Sequence, residues 1–438
     1  MRIALATSSF PLDPADGRAA AGLFVADFAR LLAELGHRVT VVTPDKRPGA
    51  KRSPEGIEVR WFPWAGGERP LSTLRPDRPG DWREIVSAAR AGSRALEQVA
   101  SEGIDHVLAM WAVPAGYWAH RLKRRTGIPY TTWCLGSDLW TWSRYPFARG
   151  LVVRVLRASD LVYADGQDLA RDAERLSGRR CDFLPSGRRS RRREAALPEP
   201  DRDHPRFLFV GRYAKVKGLD VLLEAMARYR AKGGLGRLDA FGGGPLEPVL
   251  RARCARSDLA GVVKIGGYAD EETVIVHLET CDALVVPSRL ESIPVILNDA
   301  ARCAAPLVVS DVGDMGRIVS EHEAGVVVPP ADPERLAAAL AEVVSAGRAR
   351  YAAGLAAVAR LLDPVRAAER WSRDAEETVR RTAAEAGSKH VPATYGLRGR
   401  VRRHLVSALV TAYALTLLLG AIAEWGGWRH VLSWPLYR

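Results

Sequence analysis

Short, mostly apolar runs alternate with segments of helical period along this chain, and the alternation occurs twice. Residues 3–7, 39–43, 57–62, 107–110, 130–134 and 161–164 have strand length and apolar character. Between them lie helical patterns such as 23–35, stopped by Gly36, and 81–100, 115–125 and 167–176. Apolar strands separated by helices imply a parallel sheet covered on both faces. Residues 186–206 break the pattern with five arginines between Arg188 and Arg193, then Pro198, Pro200 and Pro205. That stretch reads as an exposed linker. The alternation then restarts with strands at 207–210, 238–241, 262–265, 283–286, 307–310 and 325–328, and a helix over 219–228. Two β/α halves thus face each other across one linker, and the cleft at their carboxyl strand ends is the expected ligand site.

Composition narrows the chemistry. Lys plus Arg total 64 against 51 Asp plus Glu, a net charge of +13 that favours anionic partners. Nucleic acid is not among those expected, because no aromatic residue interleaves the arginine run to stack on bases. The five cysteines form no Cys-x-x-Cys pair, so each reads as a small core residue in a reducing compartment. The first residues are too short an apolar run for a signal-peptide core and read as a buried strand.

Three segments could carry chemistry. In Gly211-Arg212-Tyr213-Ala214-Lys215-Val216-Lys217-Gly218, Arg212 and Lys217 sit where a strand gives way to a helix, a place suited to a diphosphate. No Walker loop occurs. Gly242-Gly243-Gly244-Pro245 follows another strand and permits close backbone approach, either to a ligand or in a tight turn. In Glu291-Ser292-Ile293-Pro294, followed by Asp299, Pro294 fits a first helical turn. The two carboxylates are spaced to bracket a ligand, and free helix amides offer a second phosphate cradle.

Together these segments resemble the donor domain of retaining, family-4-like glycosyltransferases of the GT-B fold. That family carries Gly-Arg-(x)4-Lys-Gly, then Gly-x-Gly-Pro, then Glu-(x)7-Glu; here the last reads Glu291-(x)7-Asp299. The later stretches 306–313 and 323–329 also match, and the resemblance covers about residues 1–382. It implies two facing Rossmann-like domains: 1–187 for the acceptor, a linker at 188–205, 206–363 for the nucleotide sugar, and a helix at 364–387 crossing back. Arg212 and Lys217 would neutralise the donor diphosphate, beside Gly211, Gly243 and Gly244. Glu291 would hold the sugar hydroxyls, Asp299 the ribose, and Ser292, Ile293 and Pro294 the phosphates.

In the first half, the turn 16–22 ending at Gly22 looks like the family's N-terminal loop, whose backbone would approach the same diphosphate. Cys134-Leu135-Gly136-Ser137-Asp138 aligns with a His-Gly-Ser-Asp segment, with Leu135 in place of the histidine. Asp138 is a candidate at the reacting centre or a helix cap. Residues 108–111 stand where relatives carry His-x-His-Trp. The resemblance implies no bound metal and no cofactor beyond the nucleotide-sugar co-substrate, and retention by front-face attack. A sugar-nucleotide-binding module without transfer, and a nucleotide-sugar epimerase, are the rival readings.

The tail, 388–438, carries Arg398, Arg400, Arg402 and Arg403, then 19 residues, 405–423, without a charge. Such a run is about 28 Å long as a helix, near the thickness of a bilayer core. Trp425, Trp428 and Trp434 would form an interfacial belt. The expectation is association with the cytoplasmic face of an anionic membrane and a lipid-linked glycan acceptor; the alternative is a helix pair folded against the catalytic body.

Overall fold

The computed structural model describes residues 1–11, 20–46, 53, 56–69, 71–189 and 204–388. The turn at 16–19, most of the arginine run and the whole hydrophobic tail lie outside the described residues. Residues Met1–Thr382 hold both sheets in one unit.

Among the described residues, the first sheet has seven parallel strands: β1 (Arg2–Ala6), β2 (Arg38–Asp45), β3 (Glu58–Pro63), β4 (His106–Met110), β5 (Tyr130–Cys134), β6 (Leu161–Ala164) and β7 (Asp182–Phe183). Their order is β3-β2-β1-β4-β5-β6-β7. Around it lie α1 (Ala20–Glu34), α2 (Trp82–Ser101), α3 (Tyr117–Thr126), α4 (Ser137–Trp140), α5 (Pro146–Ala158) and α6 (Gln167–Ser177). The second sheet is also parallel, ordered β10-β9-β8-β11-β12-β13. Its strands are β8 (Arg206–Val210), β9 (Arg237–Phe241), β10 (Val263–Ile265), β11 (Ala283–Val286), β12 (Leu307–Ser310) and β13 (Gly325–Val328). The helices α7 (Leu219–Ala231), α8 (Glu247–Cys254), α9 (Glu271–Thr280), α10 (Val295–Arg302), α11 (Met315–Glu321), α12 (Pro333–Ala346) and α13 (Arg348–Leu361) cover it.

In each sheet the strand order reverses beside the first strand of the half, between β1 and β4 and between β8 and β11. The loops that leave those strands diverge to opposite faces, which opens a crevice at the carboxyl ends. The central strands are buried on both sides; β4, β5, β11 and β12 have no exposed residue. That double burial is why their sequences are apolar runs without period-two alternation.

The last helix among the described residues, α14 (Pro364–Ser388), completes the first half. Ala367, Ala368, Trp371 and Ala375 share a core with Ile3, Leu5, Phe28 and Trp133. Trp371 is fully buried, its indole N–H donating to Thr131 Oγ1 at 3.2 Å. Arg370 Nη1 donates to the Phe183 carbonyl at 2.9 Å. The start of the stretch read as an exposed linker is not exposed. Ser186, Gly187 and Arg188 are buried, because Gly187 packs on the Leu362 carbonyl and Arg188 turns inward.

Candidate active site

Three loops at the carboxyl edge of the second sheet are stitched to one another by backbone contacts. The Gly211 amide donates to the Phe241 carbonyl at 3.0 Å, and the Tyr213 amide to that of Gly243 at 2.9 Å. Tyr213 is buried, and its hydroxyl donates to the carbonyls of Ala240 (2.7 Å) and Gly266 (3.0 Å). A Cβ on Gly242 would lie 1.9 Å from the Gly211 carbonyl oxygen, so the β8 and β9 loops meet only because that residue is glycine. Gly244 is likewise spent against the Tyr213 backbone, while Gly243 lies beneath the half-exposed ring of Tyr268.

The β8 loop is tied equally closely to the loop after β11. Lys215–Lys217 form a single tight turn that ends at Gly218, with φ of +71°. A Cβ there would lie 1.9 Å from the Pro287 carbonyl oxygen, and the Arg289 amide donates to the Val216 carbonyl at 2.8 Å. This contact sets Lys217 Nζ against Glu291 Oε2 in an ion pair whose partners are both half-buried. Arg212 is exposed, and its guanidinium has no partner among the described residues. Arg289 is not available to a ligand, since Asp220 holds it in a two-pronged bridge at 2.7 Å and 2.7 Å. Ser292 and Ile293 are buried, and Pro294 is the residue before α10, so that helix starts at Val295. Arg212, without an acidic partner among the described residues, and Lys217, paired to an acid, therefore border the crevice at its topological switch point, a setting that favours an anion such as a diphosphate.

Asp299 does not fit the ribose role expected for it. It is fully buried, and Arg188 donates to its Oδ2 through both Nε and Nη2. Its Oδ1 has no hydrogen-bond partner and no exposure to solvent. The arginine run thus begins with a residue that anchors the linker to α10, and a ligand reaches Asp299 only if that pair opens.

Asp138 is likewise a brace. Its Oδ2 accepts from the Ala112 amide at 2.7 Å and its Oδ1 from the Leu135 amide at 3.2 Å. Burial pushes its pKa up to about 6, against the pull of these amides. The turn it holds contains Trp111 at a φ of +71°, a strained conformation for a residue with a side chain. Each carboxylate oxygen thus accepts from one backbone amide, and the buried side chain braces the turn between β4 and α4. Gly22 lies within α1, and a Cβ on it would sit 3.0 Å from the Phe10 backbone. Its need for glycine is therefore met by helix packing; the rest of the loop expected to approach the diphosphate lies outside the described residues.

Sequence reasoning passed over Asp165, which follows β6 and is buried at the seam between the halves. Burial, with the nearby charges of Asp138 and Glu291, pushes its pKa up to about 8, while the hydroxyls of Ser292 and Ser186 act the other way. An unfolded aspartate titrates near ~4. The native state therefore keeps a proton that the unfolded chain has released between those values. The stability tied to this group is complete below about pH 4 and declines as pH rises towards about 8. Asp165→Asn is expected to raise the urea midpoint relative to wild type at pH 9 and to change it little at pH 4. Equal differences at both pH values would show that the group is not held protonated.

Residues 20–187 match the family described as glycosyl transferase 4-like domain, and residues 204–346 match glycosyl transferases group 1. O-antigen chain mannosyltransferase C of Escherichia coli is 34% identical over 140 residues, 31% of this chain and 36% of that protein. The matches to it and to the alpha-D-kanosaminyltransferase of Streptomyces kanamyceticus span about a third of those relatives (36% and 33%). A D-inositol 3-phosphate glycosyltransferase of Geodermatophilus obscurus is 28% identical across 89% of this chain and 92% of its own length. In fold, the sucrose-phosphate synthase of Thermosynechococcus elongatus superposes with a TM-score of 0.66 at 17% identity, covering 89% of this chain and 100% of its own. Anabaena HepE, solved in complex with UDP and glucose, gives 0.66 at 16%, covering 86% and 100%. With both halves matched by family and the whole arrangement matched by fold, the chain belongs to the family-4-like glycosyltransferases of the GT-B fold.

Proposed function

We propose that this protein transfers a sugar from a nucleotide diphosphate to an acceptor, with retention at the anomeric carbon. The observation that carries the reading is the Lys217–Glu291 pair beside the free Arg212 at the switch point of the donor domain. An incoming diphosphate competes with Glu291 for Lys217 and leaves the carboxylate to accept from sugar hydroxyls. The bond from the anomeric carbon to the diphosphate oxygen breaks, and the acceptor oxygen bonds to that carbon on the same face. The departing phosphate takes the acceptor proton. Negative charge grows on the leaving group, so cations already in place stabilise the transition state more than the ground state. The exposed ring of Tyr268 over Gly243 offers the nucleotide base a stacking surface. HepE, the fold neighbour solved with UDP and with UDP-glucose, makes uridine donors the first to try. The experiment is thermal shift and donor hydrolysis across UDP-, GDP- and ADP-sugars. A donor at 100 times its dissociation constant adds about 2.7 kcal/mol, and no shift with any of them would overturn the reading.

The acceptor we propose is a lipid-linked glycan at the cytoplasmic membrane face. Besides the tail, α3 and α5 support this: neither contains an acidic residue. Arg124, Arg149 and Arg154 are exposed, with no side-chain partner among the described residues, and Phe147 is exposed on the same helix as Arg149 and Arg154. Each basic residue near an anionic leaflet contributes on the order of 1 kcal/mol. No helix among the described residues is long and apolar enough to cross a membrane. A chain ending at Gly387 is expected to move from the membrane to the soluble fraction and to lose activity on lipid-linked acceptors while keeping donor hydrolysis. Full lipid-acceptor activity in the truncated chain would overturn this proposal.

A further inference from the structure

The helix α6 begins at a residue that cannot cap it. Gly166 stands at its N-cap with φ of −150° and ψ of 154°, extended backbone open to any residue. Ser, Thr, Asp or Asn is favoured there, because a side-chain oxygen then accepts from the first-turn amides. The acceptor missing from Gly166 comes from the other domain. Asp314, the residue before α11, sets its Oδ2 3.0 Å from the amide of Asp168. Asp314 is 1% exposed, and its Oδ1 accepts from Arg317 Nη2 at 3.0 Å.

The backbone at 166 does not require glycine, but any side chain there would press on the second domain. A Cβ at that position would lie 2.4 Å from Ser292 Oγ and 2.6 Å from Asp314 Oδ2. Asp314 is also fixed to the loop that presents Glu291. At the neighbouring Gly313, with φ of +54°, a Cβ would lie 2.1 Å from the Glu291 carbonyl oxygen. The contact therefore joins a first-domain helix start to the loop that carries the candidate sugar-binding carboxylate.

We propose that Asp314 and Gly166 form a clasp between the domains, in which a second-domain carboxylate completes a first-domain helix and the glycine gives it room. Both are positioning residues, acting through the Glu291 loop and the width of the cleft. The catalytic consequence rests on the transferase reading above, whereas the clasp itself can be measured without any substrate.

The test uses the full chain, spin-labelled at exposed positions through Gln98→Cys and Arg256→Cys; the five native cysteines are buried. Asp314→Ala is expected to speed hydrogen exchange in the first turn of α6 roughly fivefold, the size of a lost cap, and Asp314→Asn, which keeps an acceptor oxygen, to restore most of the protection. Gly166→Ser separates the clasp from simple helix capping. A serine can cap α6 by itself, so a local role predicts unchanged or greater protection and an unchanged label distance. The clasp predicts a longer or broader distance distribution. It also predicts that kcat on a responsive UDP-sugar falls about tenfold or more while KM for that donor stays within about twofold. Unchanged exchange in Asp314→Ala, or an unchanged distance in Gly166→Ser, overturns the clasp. A changed distance with no turnover in any variant, wild type included, overturns the transferase reading and leaves the clasp standing.

Discussion

Lys217→Ala will reduce turnover of a nucleotide-sugar donor by about 10²–10³, the usual loss when one preorganised donor to a developing anion is removed. It will weaken nucleotide diphosphate binding as well. Lys217 is the partner of Glu291, so its loss leaves a half-buried carboxylate facing the place where the diphosphate must settle. Repulsion then adds to the missing attraction. Glu291→Ala will behave differently, because it frees the lysine. Nucleotide diphosphate affinity should hold or improve, while turnover falls because the sugar has lost its hydrogen-bond acceptor. Calorimetry with the nucleoside diphosphate beside donor hydrolysis separates the two variants. Wild-type turnover in both would remove this pair from the site.

The second large effect concerns stability. Arg188→Ala should destabilise the second domain by about 3–5 kcal/mol, because it strands the Asp299 carboxylate away from both water and charge. Asp299→Ala should cost a similar amount by stranding the guanidinium. Arg188→Met with Asp299→Leu should recover most of the loss, since replacing a buried pair as a unit removes both desolvation penalties. Urea denaturation of the three variants tests this. Single variants within about 0.5 kcal/mol of wild type would mean that the pair is open to solvent in solution.

Much of the scaffold was legible because double burial writes strands as apolar runs. Strands β5, β6, β11, β12 and β13 begin and end where the pattern predicts. The donor-site loops were legible too, because their glycines and cations are contiguous in sequence. What the pattern missed are pairings between distant residues. Arg188 reads as one more solvated arginine until Asp299, 111 positions later, takes it inside. Asp138 reads as a group at the reacting centre or a helix cap, and nothing near it in sequence says that the Ala112 amide, 26 positions earlier, will bond to its carboxylate. Nothing local to Gly166 says that a carboxylate 146 positions away from Asp168 will complete its helix. Such contacts leave no period in the chain and become visible only when the halves are brought together.

The packing of α14 on the first sheet also bears on how the protein is made. The core around Ile3, Leu5 and Phe28 lacks a wall until Ala367, Trp371 and Ala375 arrive. About 180 residues, the whole second domain among them, must leave the ribosome between Gly187 and Trp371, which at 5–20 residues per second takes roughly 10–40 s. Throughout that interval the nascent first domain presents an uncovered apolar face. The second domain draws its core from within its own span and has no such wait. The half synthesised first is therefore the half finished last, and the one that most needs a chaperone during translation.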